Sequence, residues 1–152
     1  MCQELVAGYA GNCRGSSYAN AIGIADSMLR EIRTEKDRDS GLRRRWFNDD
    51  VLDLIVWFNE DGSIERFQLC YDKAVAEHAL SWSRLKGLSH SRVDDGEEGF
   101  THKRSPILQV DGSFDSNRIL SLLAQRSDTV ETSLIADICD KIRSYTERGL
   151  AD

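Results

Sequence analysis

The chain is short of several things. Among its 152 residues there is one proline, Pro106, and no apolar run approaching the roughly 20 residues that a membrane-spanning helix requires. The four cysteines, at positions 2, 13, 70 and 139, include no CxxC pair, so neither a zinc ribbon nor a dithiol redox motif is written here. Basic residues are outnumbered by acidic ones, 20 to 26, for a formal net charge of −6. A deficit of positive charge argues against indiscriminate nucleic-acid binding, which depends on neutralising phosphates with Lys and Arg. The amino terminus lacks the basic start and continuous apolar stretch of a signal peptide. The cysteines are therefore read as reduced and the protein as cytoplasmic.

What is present is a composition of 40% apolar and 30% charged residues, which suits one folded domain able to bury a core without disulfides or metal. Residues 1–27 stand apart. They are rich in Gly, Ala, Ser and Asn, with no sustained period of 2 or 3.6, and are expected to form a loosely ordered extension ahead of a single domain over 28–150. The ordered pattern begins at Met28, which is read as the natural start.

The strongest local signal is Val51–Tyr71, two runs of β-branched and aromatic residues separated by Asn59-Glu60-Asp61-Gly62. That spacing predicts a β-hairpin whose Gly supplies the positive φ of the turn. Period-2 alternation places Leu54, Val56 and Phe58 on one side and Asp53, Ile55 and Trp57 on the other. Both sides are largely apolar, so this strand is expected inside its sheet. Alternation also predicts strands near 29–34, 78–83 and 87–93. Lys103–Val110 holds Pro106, which lacks an N–H and belongs in an extended segment or at a sheet edge.

From Ser113 the period changes to that of amphipathic helices. Ser113 or Asp115 is the candidate cap of the first. Asp128 with Glu131 reads as the capping box of the second, whose apolar stripe runs Leu134, Ile135, Ile138, Cys139, Ile142, Tyr145. The expected fold is α+β: an antiparallel meander sheet of four to five strands, with two C-terminal helices packed on one face.

Candidate chemistry is sparse. If the middle strands are neighbours, Gln68, Cys70, His78 and His90 could face one way, and a thiol beside an imidazole is the minimal kit of a Cys nucleophile. His78, His90 and Asp94 offer nitrogen and oxygen ligands for a metal, at a spacing that matches no ligand motif. The plainer reading of Cys70 and Cys139 is that of small buried hydrophobes. Arg43-Arg44-Arg45-Trp46-Phe47 could pair phosphates and stack bases, but its plainer reading is solvated arginines beside inward-turned rings. A third possibility is a non-catalytic binding face made of Trp57, Arg66, Gln68, His78, Trp82, His90 and Arg92, left bare if the helices cover only the opposite side. A small molecule or a second copy of the chain would occupy that face. No cofactor, membrane or nucleic-acid partner is expected.

The succession Arg44-Arg45-Trp46-Phe47, Asp53-Leu54-Ile55-Val56-Trp57, Phe67-Gln68-Leu69-Cys70-Tyr71-Asp72-Lys73, His78-Ala79-Leu80-Ser81-Trp82 and Ser89-His90-Ser91-Arg92-Val93-Asp94-Asp95-Gly96 resembles a family of small uncharacterised bacterial proteins. The resemblance spans Met28 to about Tyr145. It implies a bacterial cytosolic protein and carries over no activity, cofactor or catalytic residue. From the residues themselves, a non-enzymatic small-ligand or protein-interaction module is the expected function, with a small enzyme or metal-binding protein using Cys70, His78, His90 and Asp94 as the alternative.

Overall fold

The hairpin predicted at Asn59–Gly62 forms as the sequence requires. Gly62 takes φ +85° and donates its N–H to the Asn59 carbonyl, while the Asn59 N–H closes on the Ser63 carbonyl. The computed structural model describes residues 28–94, 107–110 and 114–149. Its strands are β1 (Arg30–Lys36), β2 (Arg43–Asn48), β3 (Asp53–Phe58), β4 (Ile64–Tyr71), β5 (His78–Ser83), β6 (Gly87–Asp94) and β7 (Ile107–Val110). Two helices follow, α1 (Ser116–Arg126) and α2 (Thr132–Gly149). Every strand pairs antiparallel with its sequence neighbour, in the order β1-β2-β3-β4-β5-β6-β7.

The architecture is the α+β meander anticipated from the pattern, with seven strands rather than four or five. One added strand is Arg43–Asn48, whose three arginines obscure its alternation. The other is Ile107–Val110 at the sheet's edge, where the extended segment after Pro106 was expected. Pro106 itself, the 1–27 extension, Cys2, Cys13 and the acidic stretch from Asp95 lie outside the described residues. At the opposite edge β1 is almost wholly exposed and carries charges of both signs, with a bulge between Glu31 and Arg33, features that discourage pairing with another chain.

β3 lies inside the sheet with all six side chains buried, because both its faces meet a core. On one side Phe47, Leu54, Val56, Phe67, Leu69 and Leu80 pack against Ile119 and Leu123 of α1 and Leu134, Ile135, Ile138 and Ile142 of α2. On the other side Trp46, Ile55, Trp57, Cys70 and Ala79 form a smaller cluster. Every buried helical residue belongs to the first cluster, so among the described residues both helices lie on one side of the sheet.

Asp115 caps α1, its carboxylate accepting the Arg118 N–H at 3.0 Å. The start of α2 differs from the expected capping box at Asp128. Residues 127–130 form a turn closed by the Val130 N–H on the Ser127 carbonyl, and the Glu131 carbonyl takes the first helical bonds from Leu134 and Ile135. The Glu131 carboxylate, needed for a capping box, is drawn instead to Arg45 of β2 at 2.9 Å, a charge-assisted bond that a neutral backbone N–H does not match.

Candidate functional site

Strand register divides the residues nominated from sequence. Tyr71 stands opposite His78, so Cys70 stands opposite Ala79 and Leu69 opposite Leu80; on the next strand His78 meets Arg92 and Leu80 meets His90. Directly paired residues share a side of the sheet. His78, Trp82, His90 and Arg92 therefore lie on the helix side, whereas Trp57, Arg66, Gln68 and Cys70 lie on the other. The single binding face expected from sequence is thus two half-sets separated by the backbone layer. The expected approach of Cys70 to His78 and His90 fails for the same reason. Cys70 is fully buried, with the Gln68 side-chain amide as a weak donor to its sulfur at 3.7 Å.

On the helix side the rings form a column. His78 and His90 are parallel within 3° at 5.2 Å, Tyr71 stacks on both, and Phe114 tilts onto His90 at 5.2 Å. The Tyr71 hydroxyl and His90 Nε2 share a hydrogen bond of 2.5 Å. His78 Nδ1 lies 2.7 Å from the Ala76 carbonyl, which can only accept, so that nitrogen carries a proton. Asp72, in the left-handed region at φ +56°, closes the β4–β5 turn and is held by both terminal nitrogens of Arg118. That guanidinium keeps the Asp72 carboxyl below the usual carboxylate range. Trp82 stacks on Phe67 with the Lys141 ammonium 4.8 Å over its ring, and Arg92 is exposed.

The contacts within this column are those of packing between sheet and helices. Imidazole lone pairs lie in their ring planes, and two parallel planes send them side by side instead of toward one ion. No group of three metal-ligand side chains gathers among the described residues. The Asp94 side chain lies outside those residues.

The other side is organised in cross-strand rows. One row reads Glu35, Arg44, Trp57, Arg66, Ser83; the next reads Arg33, Trp46, Ile55, Gln68, Ser81; a third reads Asn48, Asp53, Cys70, Ala79, Ser91. The side was expected to be bare. Its centre is instead buried, with Trp57 3% exposed, while Arg44 and Arg66 at its rim remain about a fifth open.

Asp37, at the end of β1, draws this rim together. Its carboxylate accepts the Ser40 N–H and hydroxyl and lies 3.4 Å from Arg66 and 3.7 Å from Arg44. Burial raises the Asp37 carboxyl, but Ser40, Arg66 and the Trp57 indole outweigh it and hold the group below its ordinary range. Arg44 also pairs with Glu35, and Arg33 meets Glu35 at 3.0 Å. The Arg66 guanidinium lies 4.5 Å over the Trp57 ring. Arg66 Nε in this stack is buried and meets no acceptor in hydrogen-bonding geometry among the described residues, while the buried Trp57 Nε1 has the Asp37 carboxylate beside it, outside ideal hydrogen-bonding geometry.

Farther along, a buried ion pair serves the fold. Asp53 accepts from Lys73 Nζ at 3.1 Å, from the Trp46 indole at 3.4 Å and from Asn48, while Lys73 also donates to the Asp49 carbonyl at 2.6 Å. The run Arg43–Phe47 offers no common basic patch, because its side chains alternate. Arg43 and Arg45 lie over the Phe58 and Phe47 rings on the helix side, and Arg44 lies on the other.

Asp37, Arg44 and Trp46 complete the Trp57–Arg66 neighbourhood, and sequence reasoning did not attach them to it. The pairing of β2 with β3 brings Arg44 and Trp46 there and the β1–β2 turn brings Asp37; the one available signal was the alternation of Arg44 and Trp46. No protein-family model matches the chain, and no curated protein or solved structure matches it.

Proposed function

We propose that this chain is a non-enzymatic binding module whose occupant meets the side of the sheet opposite α1 and α2, beside Trp57 and Arg66. The observation that carries the reading is the buried Arg66 Nε–H, which meets no acceptor among the described residues although its guanidinium is about a fifth open. A buried donor left unpaired costs about 1–3 kcal/mol, and native structures keep few of them. An occupant bearing an acceptor removes that cost on binding. The partly open Arg44 and Arg66 and the serines at the ends of the rows are the way in. The catalytic alternative has little to stand on, since Cys70 and the two histidines lie on opposite sides of the sheet.

We read the setting as a bacterial cytosol, from the sequence resemblance and from Cys70 and Cys139, both free and buried. Among the described residues no helix is long and apolar enough to cross a membrane.

The reading is tested with protein carrying 15N-labelled tryptophan and a panel of small molecules bearing carboxylate, phosphate, amide or hydroxyl groups. Saturable movement of the Trp57 indole resonance is expected with at least one of them. The Trp82 resonance, on the other side of the sheet, stays in place. A panel that leaves the Trp57 resonance unmoved refutes the proposal.

A further inference from the structure

We propose that β1 and the corner between α1 and α2 form one latch, closed by Arg45, so that the edge strand and the first turn of α2 open together rather than separately.

β1 has little of its own to hold it. None of its seven side chains is buried, and among the described residues β2 is its one neighbour in the sheet. A strand so exposed belongs to the parts of a fold that open first. Its ties run instead to the helices. Leu29, the residue ahead of it, is fully buried in the helix-side core. The Leu29 N–H donates to the Arg126 carbonyl at 2.7 Å, and the Leu29 carbonyl accepts the Thr129 hydroxyl. Arg126 ends α1, and Thr129 lies in the turn before α2.

The bulge in β1 supplies a further tie. Glu31 pairs with Phe47 and Thr34 with Arg45, while Ile32 between them has no partner in the register. On a regular strand, residues three apart point to opposite sides. The extra residue turns Glu31 and Thr34 to the same side, as edge bulges re-aim a side chain. That side carries the helices, since Phe47 packs in their core.

There Arg45 holds two carboxylates. Its Nε and Nη2 donate to Glu31 at 2.9 and 2.6 Å, and its Nη1 and Nη2 reach Glu131 at 2.9 and 3.2 Å. The guanidinium keeps both carboxyls below their ordinary range. Glu131 is the residue whose carbonyl takes the first bonds of α2, so one planar fork joins β1, β2 and α2. Lifting β1 draws Leu29 and Glu31 away from Arg126, Thr129 and Arg45; unwinding the corner breaks the same contacts from the other end. The closed latch covers the outer edge of β2, whose N–H and C=O groups, once bared, are a template for another chain.

Native-state hydrogen exchange of the full chain, followed by NMR, tests the coupling. In the wild type, the Leu29, Leu134 and Ile135 N–H groups and the β1 amides bonded to β2 are expected to share one opening equilibrium and one denaturant dependence. Arg45→Met is expected to speed exchange across that set by about fivefold or more, with the amides pairing β3 and β4 unchanged. Glu131→Gln, made in the helix corner, is expected to speed exchange in β1. Thr129→Val, which removes the donor to the Leu29 carbonyl, is expected to act on the same set without touching Arg45. Thermal melting confirms that each variant folds.

Faster exchange confined to Leu134 and Ile135 in Glu131→Gln, with Leu29 and β1 at their wild-type rates, overturns the latch. Wild-type β1 amides that exchange with a denaturant dependence unlike that of Leu134 and Ile135 also overturn it, since the strand then frays alone. An equal rise at the β3–β4 amides in Arg45→Met does so too, because Arg45 then supports the whole domain rather than this corner.

Discussion

Lys73→Met is the sharpest test of how this sheet tolerates charge. Asp53 is fully buried and the Lys73 side chain is 8% exposed, so among the described residues the ammonium is the charge-matching partner of a carboxylate out of reach of solvent. Methionine keeps the length and apolar stem of lysine but leaves Asp53 with only the neutral donors Trp46 and Asn48. It also removes the donor to the Asp49 carbonyl. Removing one member of a buried pair costs about 3–5 kcal/mol, most of it the penalty of the stranded charge. That is a large part of the roughly 5–15 kcal/mol that a domain commonly has. Urea unfolding followed by tryptophan fluorescence should show a lower midpoint with an unchanged slope. Replacing Asp53 by Asn in the same chain removes the stranded charge, so Asp53→Asn/Lys73→Met is expected to recover about 2 kcal/mol of the loss. If the single and double variants unfold at the same midpoint, or Lys73→Met costs under about 1 kcal/mol, Asp53 does not depend on Lys73 and the reasoning fails.

Other expectations are simpler to check. The hydrogen bond from Arg45 lowers Glu31 from an ordinary 4.5 to about 2. A carboxyl depressed on folding stabilises above its unfolded pKa, so this contribution is lost as pH falls from about 4.5 toward 2. Partial exposure limits it to about 1 kcal/mol, and acid titration of Arg45→Met should lack that segment of the melting curve. Gly62→Ala should cost about 1 kcal/mol in a chemical melt, because φ is +85° while an added Cβ meets nothing within 4 Å, leaving backbone strain alone. Cys70 should react with a thiol reagent only as fast as the sheet opens. Labelling that is rapid near neutral pH in the folded protein would contradict its burial in the smaller cluster.

Alternation along the chain was enough to assign Leu54, Val56 and Phe58 to one side of β3 and Asp53, Ile55 and Trp57 to the other. It also located β5 and β6 and the two closing helices, because a side chain's direction depends on its own backbone period. The strand Arg43–Asn48 was hidden, since its arginines lay their guanidiniums over Phe58 and Phe47 and so occupy positions that apolar residues normally mark. The grouping of His78 and His90 with Cys70 misread the site. The loop between β4 and β5 pairs Tyr71 with His78, and a one-residue difference in register moves a whole strand's side chains to the other side of the sheet.

Composition, strand and helix period, and the turn at Gly62 are properties of short windows, so the amino-acid order alone determined an α+β meander with its helices on one side. Which side each candidate residue shares with its neighbours depends on register across loops. Only the tertiary structure could therefore decide that Trp57 and Arg66 stand together with Asp37 and Arg44, while the histidines pack beneath the helices with Tyr71 and Phe114. The physical reason is that local backbone geometry orients a side chain, but hydrogen bonds between distant strands choose its company.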